Sequence, residues 1–318
     1  MKNLLLIPLL FLFLYLIGFP VQSISSARDG LSLWYQSVVP TLFPFMFLCR
    51  LMINFNLILY LPRFLTKPIC FLLGCSHEGA LSVIVGFLCG FPTGACFASD
   101  LYHTGKISEA ETQFLIPFVN NLSPGFLASY LAVEQLKHSG LRLPVLCITL
   151  GSSFLYGVIT SILRNLKKKH HKTNDYRACQ LSKNPPSDIK VNHPDNLFAL
   201  LDDAISVSVT NTLKLGGYIV FFSVLSDAAS HLPVTNPFLL LSASSIEVTK
   251  GLNLICTSSF TFRMKQILAI ALASFGGWSA AFQTAGVTQM HTRQFLGYIK
   301  SRVMITLLSI LLSFVFLY

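Results

Sequence analysis

The chain has 318 residues, of which 53% are hydrophobic and only 11% are charged, and its mean hydropathy is +0.63. Soluble domains carry about a quarter charged residues, so this balance excludes an ordinary water-soluble enzyme. Disorder is excluded by 27 Phe and by apolar runs that recur along the whole length. The formal net charge is +10, and a net six of that falls between Arg164 and Lys190. Eight cations (Arg164, Lys167, Lys168, Lys169, Lys172, Arg177, Lys183 and Lys190) stand there against Asp175 and Asp188. A basic connection between apolar spans is a positive-inside signal and is expected on the cytoplasmic side. It is not read as a nucleic-acid surface, because only Tyr176 interleaves with the charges.

In chain order, Leu4 to Pro20 is a clean apolar run, a first membrane helix or signal anchor. Val21-Gln22-Ser23 resembles a cleavage site, but a polytopic chain needs no soluble mature form, which favours retention. Leu31 to Met52 follows, interrupted by Pro40 and Pro44, then a short apolar piece from Pro68 to Gly74. Gly79 to Ser99 is split by Gly90-Phe91-Pro92-Thr93-Gly94, and Gln113 to Leu136 by Asn120-Asn121-Leu122-Ser123-Pro124-Gly125. Leu143 to Leu163 is an ordinary span. Beyond the basic connection come Ala204 to Leu225, Pro237 to Cys256, Gln266 to Val287 and Val303 to Tyr318. Of these, Pro237 to Cys256 contains Glu247-Val248-Thr249-Lys250-Gly251, and Gln266 to Val287 contains Phe275-Gly276-Gly277-Trp278-Ser279.

A break in a span frees backbone N–H and C=O groups for which lipid has no partner, so breaks belong where protein or a polar cavity surrounds them. The four breaks fall into two pairs. Thr93 precedes Asn121 by 28 residues, Thr249 precedes Gly277 by 28, and one shift of 156 superposes the pairs. The flanking spans correspond under the same shift, while residue identity between the halves is slight. Domains are therefore expected at 1–28 (first helix or anchor), 29–163 (first membrane repeat), 164–200 (basic cytoplasmic linker) and 201–318 (second repeat).

Charge suggests how the halves are oriented. If every segment crossed, the basic connection and the N-terminus would lie on opposite sides. Making Gln113–Leu136 and Gln266–Val287 re-entrant places Arg50, Arg63, Lys67, Arg263, Lys265, Arg293, Lys300 and Arg302 with the basic connection. The acidic connection of Asp100, Glu109 and Glu111 then lies outside, with Lys137 and Arg142 as exceptions. Each half has three crossings, so the halves are inverted, as in many secondary transporters.

The polar residues at the breaks are the candidate binding residues. Gly90, Pro92, Thr93 and Gly94 open a half-helix whose N–H groups favour an anion or a strongly polar solute. Asn120, Asn121 and Ser123 add amide and hydroxyl groups. Ser244, Ser245 and Thr249 surround Glu247, and Gly276, Gly277, Ser279 and Gln283 form the last break. Glu247 and Lys250 are three apart and share a helix face. They read either as an internal ion pair or as a proton or coupling-ion site with a counter-charge for an anion. Lys214 also lies in a span and reads as snorkelling. The eight cysteines fit no zinc spacing, His77-Glu78 lacks a second His, and no nucleophile elbow, P-loop or dinucleotide fingerprint occurs. No catalytic residue, metal or cofactor is expected, and the partners expected are the bilayer and a small solute.

The run Gly86-Phe87-Leu88-Cys89-Gly90-Phe91-Pro92-Thr93-Gly94-Ala95 resembles the glycine-proline motif of the YlbJ-type sporulation integral membrane proteins. Asn121-Leu122-Ser123-Pro124, Glu247 to Gly251, and Ser274 to Ser279 with Gln283 are similar to that family in the same order. The likeness extends from about Gly30 onward. It implies an all-α polytopic membrane protein of two inverted repeats, with nucleoside-recognition (Gate) domains and broken or re-entrant helices. It further implies a role in endospore formation, with dipicolinic acid carried across the outer forespore membrane and other sporulation membrane proteins as partners. Dipicolinate is an aromatic dianion, which suits helix N-termini and Lys250. An ion-coupled nucleoside or nucleobase transporter is the alternative, and a membrane scaffold or membrane enzyme ranks third.

Overall fold

The computed structural model describes residues 10, 12–57, 62–170, 197–230 and 236–317, and every regular element among them is a helix. Residues 12–18 are helical, while residues 4–9 and 11 of that run and most of the basic connection lie outside the described residues. α1 runs over Pro20–Asn54 and passes straight through Pro40 and Pro44. A wide π turn at Trp34–Val38, in which Val39 N–H reaches the Trp34 carbonyl, precedes Pro40. It gives the proline ring room that a regular turn would deny. α2 (Arg63–Leu73) is bent by 95° to α3 (His77–Cys89), and α4 (Thr93–His103) follows after Gly90-Phe91-Pro92. α5 (Glu109–Val119), α6 (Phe126–Gln135, a π-helix) and α7 (Arg142–His170) complete the first half.

The second half repeats this order without α2. α8 (Leu197–Ser230) answers α1, α9 (Pro237–Ser244) and α10 (Val248–Thr257) answer α3 and α4, α11 (Phe262–Phe275) and α12 (Gly277–Val287) answer α5 and α6, and α13 (Thr292–Phe316) answers α7. Side chains start many of these helices where the sequence supplies an acceptor. Ser76, Ser108, Asn236, Glu247 and Thr261 each accept the backbone N–H three residues on.

Corresponding long helices run antiparallel. Along α1 and α8 the partners are Gly30 with Ser223, Trp34 with Thr212, Arg50 with Asp203 and Asn54 with Leu200, so one number rises as the other falls. The same holds for α7 and α13, where Tyr156 bonds Ser301 (2.8 Å) while Leu146 and Leu150 share a cluster with Leu312 and Leu317. The halves are inverted relative to one another, as the sequence led us to expect.

Two apolar cores, one toward each face, trace the path of the chain. The first holds Ile53 of α1, Leu73 of α2, Leu81 of α3, Phe97 and Leu101 of α4, and Leu115 and Phe118 of α5. Ala281 of α12 and Tyr298 and Ile305 of α13 complete it, with Phe154 and Tyr156 of α7 packed against it. The second holds Leu127 and Leu131 of α6, Val145 and Ile148 of α7, Leu240 of α9, Leu252 and Ile255 of α10, and Leu268, Ile270 and Leu272 of α11. Thus α5–α6, α7, α11–α12 and α13 each pass from one core to the other. By contrast α3 and α4 both stay in the first core, and α9 and α10 both stay in the second.

This corrects the assignment of the re-entrant segments. The two hairpins that enter and return are α3–α4 and α9–α10, whereas Gln113–Leu136 and Gln266–Val287 go through. Phe262–Val287 is a 26-residue apolar stretch, about 39 Å at 1.5 Å per residue and enough for a bilayer. A Cβ on Gly94 would collide with the Gly86 backbone, and one on Gly251 with the Ser244 carbonyl, so both hairpins close tightly on glycine. The connection 104–108 therefore returns to the face where α1 ends. Asp100 pairs with Arg50 there (3.4 Å), and Lys106 Nζ bonds Asn56 (2.6 Å) and the Ile53 carbonyl (3.2 Å). Burial pushes the Lys106 ammonium pKa down. The described ends of α7 and α8 that flank the basic connection lie at this same face, with Arg164 over the Phe114 ring and Asp203 beside Arg50. The acidic and basic connections share a face, contrary to the charge argument. Arg263 and Lys265 lie at the other one, where Phe262 meets His138 and Lys265 Nζ bonds the Cys256 carbonyl (2.9 Å).

Candidate functional site at the four breaks

The breaks satisfy one another in pairs. In the first half Phe91 N–H donates to the Asn121 carbonyl, and in the second Trp278 N–H donates to the Ser245 carbonyl and Ser279 N–H to that of Ile246. Each hairpin tip is thus stitched to the interruption of the crossing helix beside it. Backbone groups that lipid would leave unpaired find partners there, which explains why interruptions occur in pairs. Left-handed backbone is required at Gly90 (φ 86°) and at Gly276 and Gly277 (φ 87° and 82°), where a side chain would be strained. Pro92 follows a cis peptide and caps α4.

The pairs meet each other between the two cores. Asn120, 2% exposed at the end of α5, donates through Nδ2 to Thr284 of α12 (2.8 Å) and Tyr298 of α13 (2.7 Å). Asn121 donates to the Phe118 carbonyl and accepts from Ser153 of α7 (2.7 Å). Arg302 of α13 is 1% exposed, and its guanidinium donates to the carbonyls of Phe275 (3.0 Å), Pro117 (3.1 Å) and Ser274 and to Asn121 Oδ1 (3.4 Å). It closes the C-terminal ends of α5 and α11 at once, and their dipoles supply the partial negative charge that a buried cation needs. The expectation that Arg302 lies at the membrane face with the basic connection is therefore corrected.

The other candidates divide between capping and cavity. Glu247 caps α10, accepting Lys250 N–H (2.9 Å) and the Thr249 hydroxyl, so its carboxylate binds the backbone of Lys250 and not its ammonium. Lys250 Nζ donates instead to the Ser223 carbonyl (3.2 Å), which replaces the internal ion pair read from the sequence. Ser279 and Gln283 bond each other (2.9 Å), and Ser123 accepts Phe126 N–H (3.3 Å) to open α6. Thr93, buried at the start of α4, has a hydroxyl without a hydrogen-bond partner among the described residues. It lines a narrow cavity with Arg50, Asp100, Ser208 and Asn211. Lys250 lines a cavity of about 170 Å³ with Ser244, Asn253, Thr257 and Asp227. A third and larger cavity, about 710 Å³, borders the second hairpin tip at Ile246 and the last break at Trp278. Sequence reasoning missed Thr284, Tyr298 and Ser153, which belong to no motif.

Fold and site together define a polytopic α-helical membrane protein of two inverted halves, each with a helical hairpin locked tip-to-break against a crossing helix. The chain is 24% identical over 308 residues to the sporulation integral membrane protein YlbJ of Bacillus subtilis (strain 168). That alignment covers 90% of this chain and 76% of the relative. The likeness spans nearly the whole chain and supports the resemblance to the YlbJ-type sporulation integral membrane proteins that the four motifs carry. No family model matches the chain, and no solved structure matches it.

Proposed function

We propose that this sporulation membrane protein is a permease that moves a small anionic solute across the membrane, with dipicolinate as the cargo and the outer forespore membrane as its place. The nucleoside-recognition (Gate) character implied by the resemblance belongs to this reading. The observation that carries it is the tip-to-break contact repeated in both halves, Phe91 to Asn121 and Trp278 to Ser245. A bilayer protein with no solute to pass has no use for half-helices that stop at mid-depth. Because the halves are inverted, each face has its own hairpin, α3–α4 on one side and α9–α10 on the other. Releasing one hairpin while the other stays closed gives alternating access to a shared centre. At the first face, Arg50 holds α4 to α8 through Asp100 and Asp203, which serves as the closing contact on that side.

Uptake of labelled dipicolinate and labelled uridine into proteoliposomes tests the reading. Saturable dipicolinate uptake above that of empty liposomes is the expected result. Uridine uptake alone would transfer the assignment to a nucleoside transporter, and uptake of neither solute would contradict transport.

A further inference from the structure

Lys214 stands at mid-length of the 34-residue α8, exposed, with no hydrogen-bond or ion-pair partner among the described residues. At about 51 Å, α8 overruns the ~30 Å hydrocarbon core at both ends. A lysine at mid-length therefore lies about 15 Å from either surface, too deep for its side chain to reach water by snorkelling. An ammonium at that depth is costly unless it meets an anion. The adjoining residue Leu215 packs with Cys96 of α4, so this level of α8 lies beside the first hairpin as well as the second. Lys214 opens into the cavity of about 710 Å³, whose other walls include Tyr218, Phe222, Ile246, Trp278 and Phe282. Ile246 is the second hairpin tip itself, and the Phe222 and Phe282 rings lie tilted at 39° with centroids 5.6 Å apart. The volume lies in the range of small-molecule sites. Glu247, the acidic neighbour of that tip, is engaged by the N-terminus of α10.

We infer that Lys214 and these aromatic walls form the recognition site for a small aromatic carboxylate, its ring against Phe222, Trp278 and Phe282 and its charge on Lys214. Aromatic faces supply apolar contact to a planar body, and a single desolvated ammonium supplies a strong charge-assisted bond. Lys250 is less suited to this role, because Asp227 lines the same smaller cavity. The inference deepens the transport reading and rests on it only for the movement of the solute after it has bound.

Binding and uptake separate the two. Labelled pyridine-2,6-dicarboxylate would be titrated onto the full chain in nanodiscs by scintillation proximity, with benzoate and uridine as competitors. Wild type should bind saturably and be displaced by benzoate in preference to uridine. Lys214→Gln should raise Kd by about tenfold or more, while Lys214→Arg stays within a few-fold. Unchanged affinity in Lys214→Gln overturns the site even if uptake is normal. Binding that needs Lys214 but leads to no uptake keeps the site and removes the transport reading. A wild type that binds no aromatic carboxylate but retains phospholipid in native mass spectrometry would make the cavity an acyl-chain groove and overturn the inference.

Discussion

Arg302 shows how one side chain joins the two inverted halves. Its donors reach the last carbonyls of α11, a carbonyl of α5 and the amide oxygen of Asn121, so it belongs to both breaks in the crossing helices. Arg302→Met keeps the volume but leaves at least three buried carbonyls without donors, each at about 1–3 kcal/mol. We expect a loss of stability on the order of 3 kcal/mol or more, read as a lowered melting temperature in detergent. Arg302→Lys, with a point charge in place of the fork, should fall between the two. A melting temperature unchanged in Arg302→Met would mean that the guanidinium does not hold the breaks. The sequence hides this role, because an arginine eleven residues after His291 reads as a membrane-flanking charge unless the helix start is known. Glu247 was read from the sequence as an ion-pair or coupling-ion residue, whereas it caps α10, a role open to an acidic residue just before a helix.

Among the described elements, α2 has no counterpart in the second half. Thr66, Ile69, Cys70 and Leu73 lie on the face turned to the protein, while Phe64 and Phe71 are 71% and 88% exposed. At 100° per residue Arg63 and Lys67 fall to one side of the exposed face and Leu65 and Leu72 to the other. Bent by 95° to α3, which enters the membrane, such a helix lies along the surface with its leucines toward the acyl chains and its cations toward the headgroups. Phe71→Trp should therefore be quenched most by lipids brominated near the glycerol backbone and less by those brominated at the chain ends. Fluorescence that no brominated lipid quenches would place α2 in water. The four breaks were legible because Gly, Pro and Asn stand out against apolar spans. Which of them turn back was not, since either choice gives three crossings per half. Counting Arg263 and Lys265 toward the basic side then favoured the wrong choice.

For the whole molecule, the alternating access we propose would depend on the chain passing between two apolar cores with a polar layer between them. The repeat was readable from the shift of 156 and inversion from the odd number of crossings per half, and inversion is visible in the antiparallel pairing of α1 with α8 and of α7 with α13. The layer itself, built from Asn120, Asn121, Thr284, Tyr298 and Arg302, arises only when segments some 180 residues apart meet, a distance over which local pattern carries no signal. Hairpins at opposite faces are what would let each side open in turn. Their placement is therefore the claim to test first. Single cysteines introduced by His103→Cys, Ser182→Cys and Ser259→Cys, in a chain whose eight native cysteines are replaced by Ala, would be labelled with a membrane-impermeant maleimide in oriented vesicles. Positions 103 and 182 should react from the same side and position 259 from the other. Positions 103 and 182 reacting from opposite sides would contradict the hairpin placement, because α5–α6 would then be re-entrant and α3–α4 would cross.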